Sequence, residues 1–256
     1  MKITRPDKNT KVITFNSIQE LVEHIDNTPI TPAFSKSPDS ESTRNPKWYG
    51  TKNMAEARDL LRNGWADKSK ELEQKFNDRV KKEATTVTRQ KSVYDVVGGN
   101  CSVPRYLQGV PTAMVRQVRT PVKEKVITVN YSCGNSSRVT ATEITEKALD
   151  CFSYIRKLES QGTRVSVNLV WLVYRPGDTD RRFAWVVPIK KSTERLSIAK
   201  LAFTLCHPSM LRRIMFACLE RDEEVPTSWV WSYGRPVKDL KTASEMLPNT
   251  EFFNLS

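Results

Sequence analysis

Tyr174 and Arg175 close one expected strand while Arg181, Arg182 and Phe183 open the next, so a short turn gathers two aromatic rings and three guanidinium groups. That combination suits a polyanion carrying planar bases. Single-stranded nucleic acid is held by a cationic groove together with aromatic faces, each stacked base contributing roughly 1–3 kcal/mol. Arg175, Arg181 and Arg182 flank one turn and cannot all be buried. Trp171, Phe183 and Trp185, by contrast, alternate along their strands as core residues do. The same residue types recur upstream, where Trp48, Tyr49 and Trp65 lie among Arg58, Arg62, Lys68, Lys75, Arg79, Lys81 and Lys82. These three aromatics either stack bases or build a small satellite core of their own. Arg175, Arg181 and Arg182 together with these ten upstream residues form the candidate nucleic-acid-binding set.

Residues 44–91 hold 13 Lys/Arg against seven Asp/Glu, half of the formal net charge of +12. Such a run is either a solvated helical face or the electrostatic footprint of a polyanion site. The one-signed excess continues in Arg105, Arg116, Arg119, Lys123 and Lys125.

Other chemistries are poorly served. The five cysteines contain no C-x-x-C pair, and His24 and His207 are the only histidines, so no zinc site of usual spacing can be drawn. Cys151 and Cys218 sit in apolar, helix-like stretches and are expected as buried thiols. His207, just before Pro208, reads as a cap or a buried hydrogen-bonding group. Successive helical positions point about 100° apart, so only one of Arg212 and Arg213 is expected at the surface. Asp178 and Asp180 lie in a turn and Asp222-Glu223-Glu224 at a helix end. Neither group supplies the separated partners that metal-assisted phosphodiester cleavage requires. Gly98-Gly99 lacks the following residues of a phosphate loop. No catalytic residue, metal or cofactor is expected, and the chain is read as not an enzyme.

The elements that must position these residues can be outlined from pattern. A chain of 256 residues, 38% of them hydrophobic, suits one large domain or a domain plus an arm. It has no apolar run long enough to span a membrane and no apolar core in its first residues, so no membrane partner and a cytosolic location are expected. A strand at 12–15 leads into a helix, and the proline- and hydroxyl-rich residues 28–46 read as a linker or exposed loop. A helix follows from Asn53 to Gly64. A second, charged helix over 69–84 shows only Leu72, Phe76 and Val80 as a narrow apolar stripe that docks lightly. Residues 92–122 read as a turn-rich connector with Val103, Tyr106, Leu107 and Met114 available for burial. Then come a strand at 126–129, a helix over 142–161, and strands 165–174 and 181–190 joined as a hairpin. A helix capped by Thr193 ends near His207, another starts at Pro208, and a last strand at 228–231 precedes an irregular tail. The expected class is α/β (α+β overall): a central mixed sheet with flanking helices and a basic helical amino-terminal arm, divided into 1–91 and 92–256.

The strand–helix–strand step followed by an antiparallel hairpin resembles the opening of a von Willebrand A-type domain over about residues 126–232. Such domains bind a divalent ion through an Asp-x-Ser-x-Ser turn. Here the turn is Asn130-Tyr131-Ser132-Cys133-Gly134, which keeps only the middle serine, so the likeness implies topology and no metal. A second resemblance covers most of the chain. Trp48-Tyr49-Gly50-Thr51, Asn63-Gly64-Trp65, the run from Val103 to Pro111 with Met114, and His207-Pro208-Ser209-Met210-Leu211-Arg212-Arg213 are similar to a largely uncharacterised family encoded by tailed phages and mobile elements. Size and basic character are also similar to the single-stranded-DNA-binding transcription activators of N4-like phages, from which no residue role is carried over. These likenesses imply a phage-encoded DNA-binding protein of the host cytoplasm, preferring single strands. It would act in transcription or replication by recruiting a partner such as an RNA polymerase. A protein-interaction scaffold and a metal-dependent nuclease are the alternatives.

Overall fold

The computed structural model describes residues 1–36, 38–83, 91–118, 125–175, 181–248, 250–253 and 255. In chain order the first elements are β1 (Lys2–Thr4), β2 (Thr10–Thr14), α1 (Ile18–Asn27), α2 (Pro46–Tyr49), α3 (Met54–Asn63) and α4 (Ala66–Glu83). Next come β3 (Lys91–Asp95), β4 (Asn100–Cys101), α5 (Val103–Leu107) and β5 (Met114–Val118). The remainder comprises β6 (Val126–Ser132), α6 (Ala141–Ser160), β7 (Arg164–Tyr174), β8 (Arg182–Lys190) and α7 (Ile198–Cys206). A π-helical stretch (Met210–Met215) leads into α8 (Phe216–Glu220), and a 3-10 helix (Thr227–Trp231) precedes β9 (Arg235–Pro236), α9 (Leu240–Met246) and β10 (Glu251–Phe253). Two compact units result, Met1–Lys82 with Val126–Ser256, and Glu83–Lys125. The boundary drawn at 91/92 from sequence falls inside the second of these.

The larger unit is an α/β structure on one mixed sheet of order β1-β2-β8-β7-β6-β10, with β9 also pairing β7. β6 and β7 are parallel and joined through α6, while β7 and β8 form the antiparallel hairpin expected from the sequence. α6 is started firmly: Thr140 accepts from the Glu143 N–H while Glu143 reaches back to the Thr140 N–H, a complete capping box. Period-two alternation sends Val165, Val167, Leu169, Trp171 and Val173 of β7, with Phe183, Trp185 and Val187 of β8, to the face that also buries residues of α1, α3, α4, α6, α7 and α8. Val170, Leu172, Ala184 and Val186 face the other way, against Ala243 and Met246 of α9.

Several expectations are corrected. Residues 28–46 are no exposed linker, because Phe34 lies in the main core and Ser40 is fully buried. The polar backbone there is satisfied by a residue about 180 positions away: Glu220 accepts from the Ser40 N–H at 2.9 Å, and its carbonyl accepts from the Thr31 N–H. The basic arm also joins the main core through Leu61, Leu72 and Phe76. Residues 228–231 form a 3-10 helix and not a strand; the edge of β7 beyond β6 is already taken by β9, and Trp229 is driven under Phe183 as a core plug. α7 begins at Ile198, not Thr193, and the tail is ordered as β9, α9 and β10.

The smaller unit is a three-stranded antiparallel sheet of order β3-β5-β4. Of the four side chains expected to be available for burial in this connector, Met114 is half-buried and the other three are not. Val103, Tyr106 and Leu107 are exposed, Leu107 at 78%, as are Val93, Tyr94, Val96 and Val97.

Candidate functional site

The site arises where β6 runs out. Its last pairing with β7 is Ser132 opposite Val170, and the Cys133 N–H still donates to the Val170 carbonyl at 3.0 Å. β7 continues to Tyr174, and its freed edge is taken from the opposite direction by β9, with Pro236 opposite Val173. β6 and β9 therefore meet end to end in one lane of the sheet, and both must leave it. β6 turns toward α6 on one face and β9 toward α9 on the other. Diverging exits at strand carboxyl ends open the crevice in which α/β sheets bind ligands. Gly134 marks the junction: a Cβ there would stand 3.0 Å from the Pro236 side chain.

The resulting cleft encloses about 680 Å³, within the range of small-molecule sites. Its shelf is aromatic. Phe216 stacks on Tyr233 at 4.2 Å between ring centres, Trp171 meets Phe216 at 5.6 Å, and Trp48 lies 6.5 Å from Phe216. The shelf is held under some strain. Tyr233 has φ +51, in the left-handed region, and Gly234 follows at φ +74, where a Cβ would meet the Trp229 ring at 2.8 Å. The Tyr233 hydroxyl is fixed from both sides, accepting from the Asp39 N–H at 3.0 Å and donating to Glu220 at 2.7 Å. Burial raises the pKa of Glu220 despite its hydrogen bonds, and burial beside Glu220 raises that of Tyr233.

The rim is cationic and hydroxyl-rich. Asn135, Ser136 and Ser137 of the β6–α6 loop line one side, with Arg212, Arg235 and Lys238 among the other lining residues. Trp48 braces the loop by donating from Nε1 to the Ser137 carbonyl at 3.0 Å. Arg212 donates to the Trp48 and Val139 carbonyls, and its guanidinium lies 4.5 Å over the Trp48 ring. Burial lowers the Arg212 pKa, and Arg212 has no carboxylate partner among the described residues. Arg235 and Lys238 are exposed and likewise unpaired among them. Two carboxylates, Asp39 and Asp239, share the lining. Asp239 is occupied in capping α9, and burial raises the pKa of Asp39.

The residues singled out from sequence are placed differently. Arg58 and Arg62 both pair with Asp26, at 3.0 and 2.8 Å; Lys68 and Lys75 both pair with Glu71; Arg79 pairs with Glu146 and Asp150. Arg182 pairs with Glu245 at 2.9 Å, while Arg175 and Arg181 donate to the backbone carbonyls of Ser228 and Glu224. The described arm and hairpin cations are thus held by carboxylates or backbone carbonyls, and none of them lines the cleft. The side chains of Lys81 and Lys82, and the turn residues Asp178 and Asp180, lie outside the described residues. Tyr49 is buried against Arg213, and Trp65 packs edge-on to His207 at 4.6 Å. Only Trp48 of the predicted set lines the cleft, which Tyr174 joins. Phe216, Tyr233, Arg235, Lys238 and the Asn135–Ser137 loop were not singled out as a binding site. The small polar residues after a buried strand were the available signal.

His207 behaves as expected: its Nδ1 accepts the Ser209 N–H at 3.1 Å, and burial lowers its pKa to about 4. Arg212 and Arg213, of which one was expected at the surface, are both buried. Cys151 and Cys218 are buried, and burial pushes the Cys151 thiol up to about 12. Among the described residues no cluster of His, Cys, Asp or Glu is arranged to hold a metal ion, and no helix is long and apolar enough to cross a membrane.

No curated protein and no solved structure matches the chain. A match over residues 3–252 shows that the chain belongs to the family described as a domain of unknown function, DUF7192.

Proposed function

We propose that this chain is a non-enzymatic DNA-binding protein that prefers single strands, with the cleft at the end of β6 as its centre. The observation that carries this reading is the meeting of an aromatic shelf with Arg212, Arg235 and Lys238, which have no carboxylate partners among the described residues. Arg58, Arg62, Lys68, Lys75 and Arg79 of the arm, by contrast, are paired with Asp or Glu. Stacking faces beside free positive charge are what a single strand requires. The resemblances in the sequence extend the proposal. The protein would be phage-encoded, work in the host cytoplasm and bring a partner, such as an RNA polymerase or replication protein, to DNA.

Filter binding of a labelled single-stranded oligonucleotide at several salt concentrations tests this reading. Each neutralised phosphate contributes about −0.7 to the slope of log affinity against log salt for a single strand. A slope of about −2 or steeper is expected. Absence of salt-sensitive binding to single and double strands alike rejects it.

A protein-interaction scaffold is the second reading, and the smaller unit favours it. Seven large apolar residues are exposed there, from Val93 to Leu107, in a unit whose only buried hydrophobic among the described residues is Ala113. Small sheets need cover for such a surface. This reading predicts a protein complex indifferent to DNA. Recruitment of a partner would use the same surface.

A further inference from the structure

We infer that the cleft is a subsite for one nucleotide, with the base against the Phe216 and Trp48 rings and the phosphate at the β6–α6 loop. This rests on the nucleic-acid reading and assigns parts to it. The cleft's lining combines two kinds of group. Phe216 is face-stacked on the buried Tyr233 at 4.2 Å and meets the buried Trp171 at 5.6 Å, so the half-buried Phe216 and Trp48 rings, 6.5 Å apart, are the ones left for a base. The hydroxyl-bearing loop Ser136–Ser137 lines the same cleft, as do Lys238 and Arg212.

Arg212 is the informative residue. Its guanidinium has five N–H donors, and the described structure uses Nη1 for the Trp48 carbonyl and Nη2 for the Val139 carbonyl. It is 4% exposed and has no carboxylate among the described residues to neutralise it. A buried charge without a counter-ion is costly, and a bound phosphate would supply that counter-ion. Arg213, its neighbour, differs: its Nε, Nη1 and Nη2 are all committed to Thr51 and Ser40. It is a structural bolt and offers an anion nothing. The volume of about 680 Å³ accommodates a mononucleotide but not a packed run of several bases. Recognition is thus of a single nucleotide, with the rest of a strand held outside.

The test is a titration of intrinsic tryptophan fluorescence in the full-length protein, since Trp48 and Trp171 line the cleft. The probes are dTMP, dAMP, thymidine and inorganic phosphate. Both mononucleotides should quench saturably with Kd of about 1 mM or tighter, and thymidine and phosphate alone should bind at least about ten-fold more weakly, reflecting the division of labour. Lys238→Glu and Ser137→Glu, both at exposed positions, should weaken dTMP at least about five-fold while leaving the circular dichroism unchanged. The inference is overturned if neither mononucleotide quenches saturably, if thymidine matches dTMP, or if both variants bind dTMP like the parent. Oligonucleotide binding that persists without mononucleotide binding removes this subsite and leaves the broader reading standing; loss of both removes both.

Discussion

At the scale of single residues, three buried arginines do work that their charge alone would not suggest. Arg212, Arg213 and Arg221 project from one continuous helical stretch and donate to backbone carbonyls of residues far away in sequence. Arg213 is wholly buried, with its guanidinium 4.4 Å over the Tyr49 ring. Arg213→Ala would strand the Ser40 and Thr51 carbonyls and should cost about 2–5 kcal/mol in urea unfolding, at about 1–3 kcal/mol for each buried acceptor left unpaired; Arg213→Lys should recover little, since an ammonium cannot reproduce the planar fork. His207 gives a pH dependence. Its folded pKa of about 4 lies below the ordinary value of 6.5, so the unfolded chain takes up a proton first as pH falls. Its contribution is complete above about 6.5 and is lost on acidification toward 4, by up to roughly 3 kcal/mol. Glu220, with its raised pKa, acts in the opposite sense, gaining stability as it protonates in the fold. Urea midpoints measured across that range should therefore fall in the parent. They should fall less in His207→Asn, whose amide oxygen can accept the Ser209 N–H without titrating.

At the scale of elements, the basic arm proves to be a packed pair of helices. α4 is mostly charged, yet Leu72 is completely buried and Phe76 meets Phe152 of α6 edge-on at 6.3 Å. Leu72→Ala should lower stability by about 2–5 kcal/mol, the cost of a cavity in a packed core. A value near zero in equilibrium unfolding would show that α4 does not belong to the core. Thr140→Ala, which removes the α6 cap next to the cleft loop, should cost about 1 kcal/mol. The helices, the β6–α6–β7 step and the β7–β8 hairpin were legible because their apolar periods are long and strong. β9 and β10 were not, since two or three residues carry no period. They exist only because β7 and β6 present edges for them.

At the scale of the whole molecule, the distribution of charge matters more than its sum. Replacing Arg58 and Arg62 together by Gln should leave the salt slope of DNA binding unchanged, because Asp26 already neutralises them. Lys238→Glu should flatten it. A flattened slope in the arm variant with none in Lys238→Glu would return the binding site to the arm. The sequence by itself determined the α/β class, the buried thiols, the role of His207 and the presence of grouped aromatic and cationic residues, because composition and local period report burial and element type. Which cations are free was decided only by the tertiary structure. Ion pairs such as Arg79 with Glu146 join residues 67 positions apart, and the cleft forms where β6 and β9, a hundred residues apart, meet in one lane of the sheet. No local pattern encodes that meeting; it follows from which strand edges remain open once the core has packed.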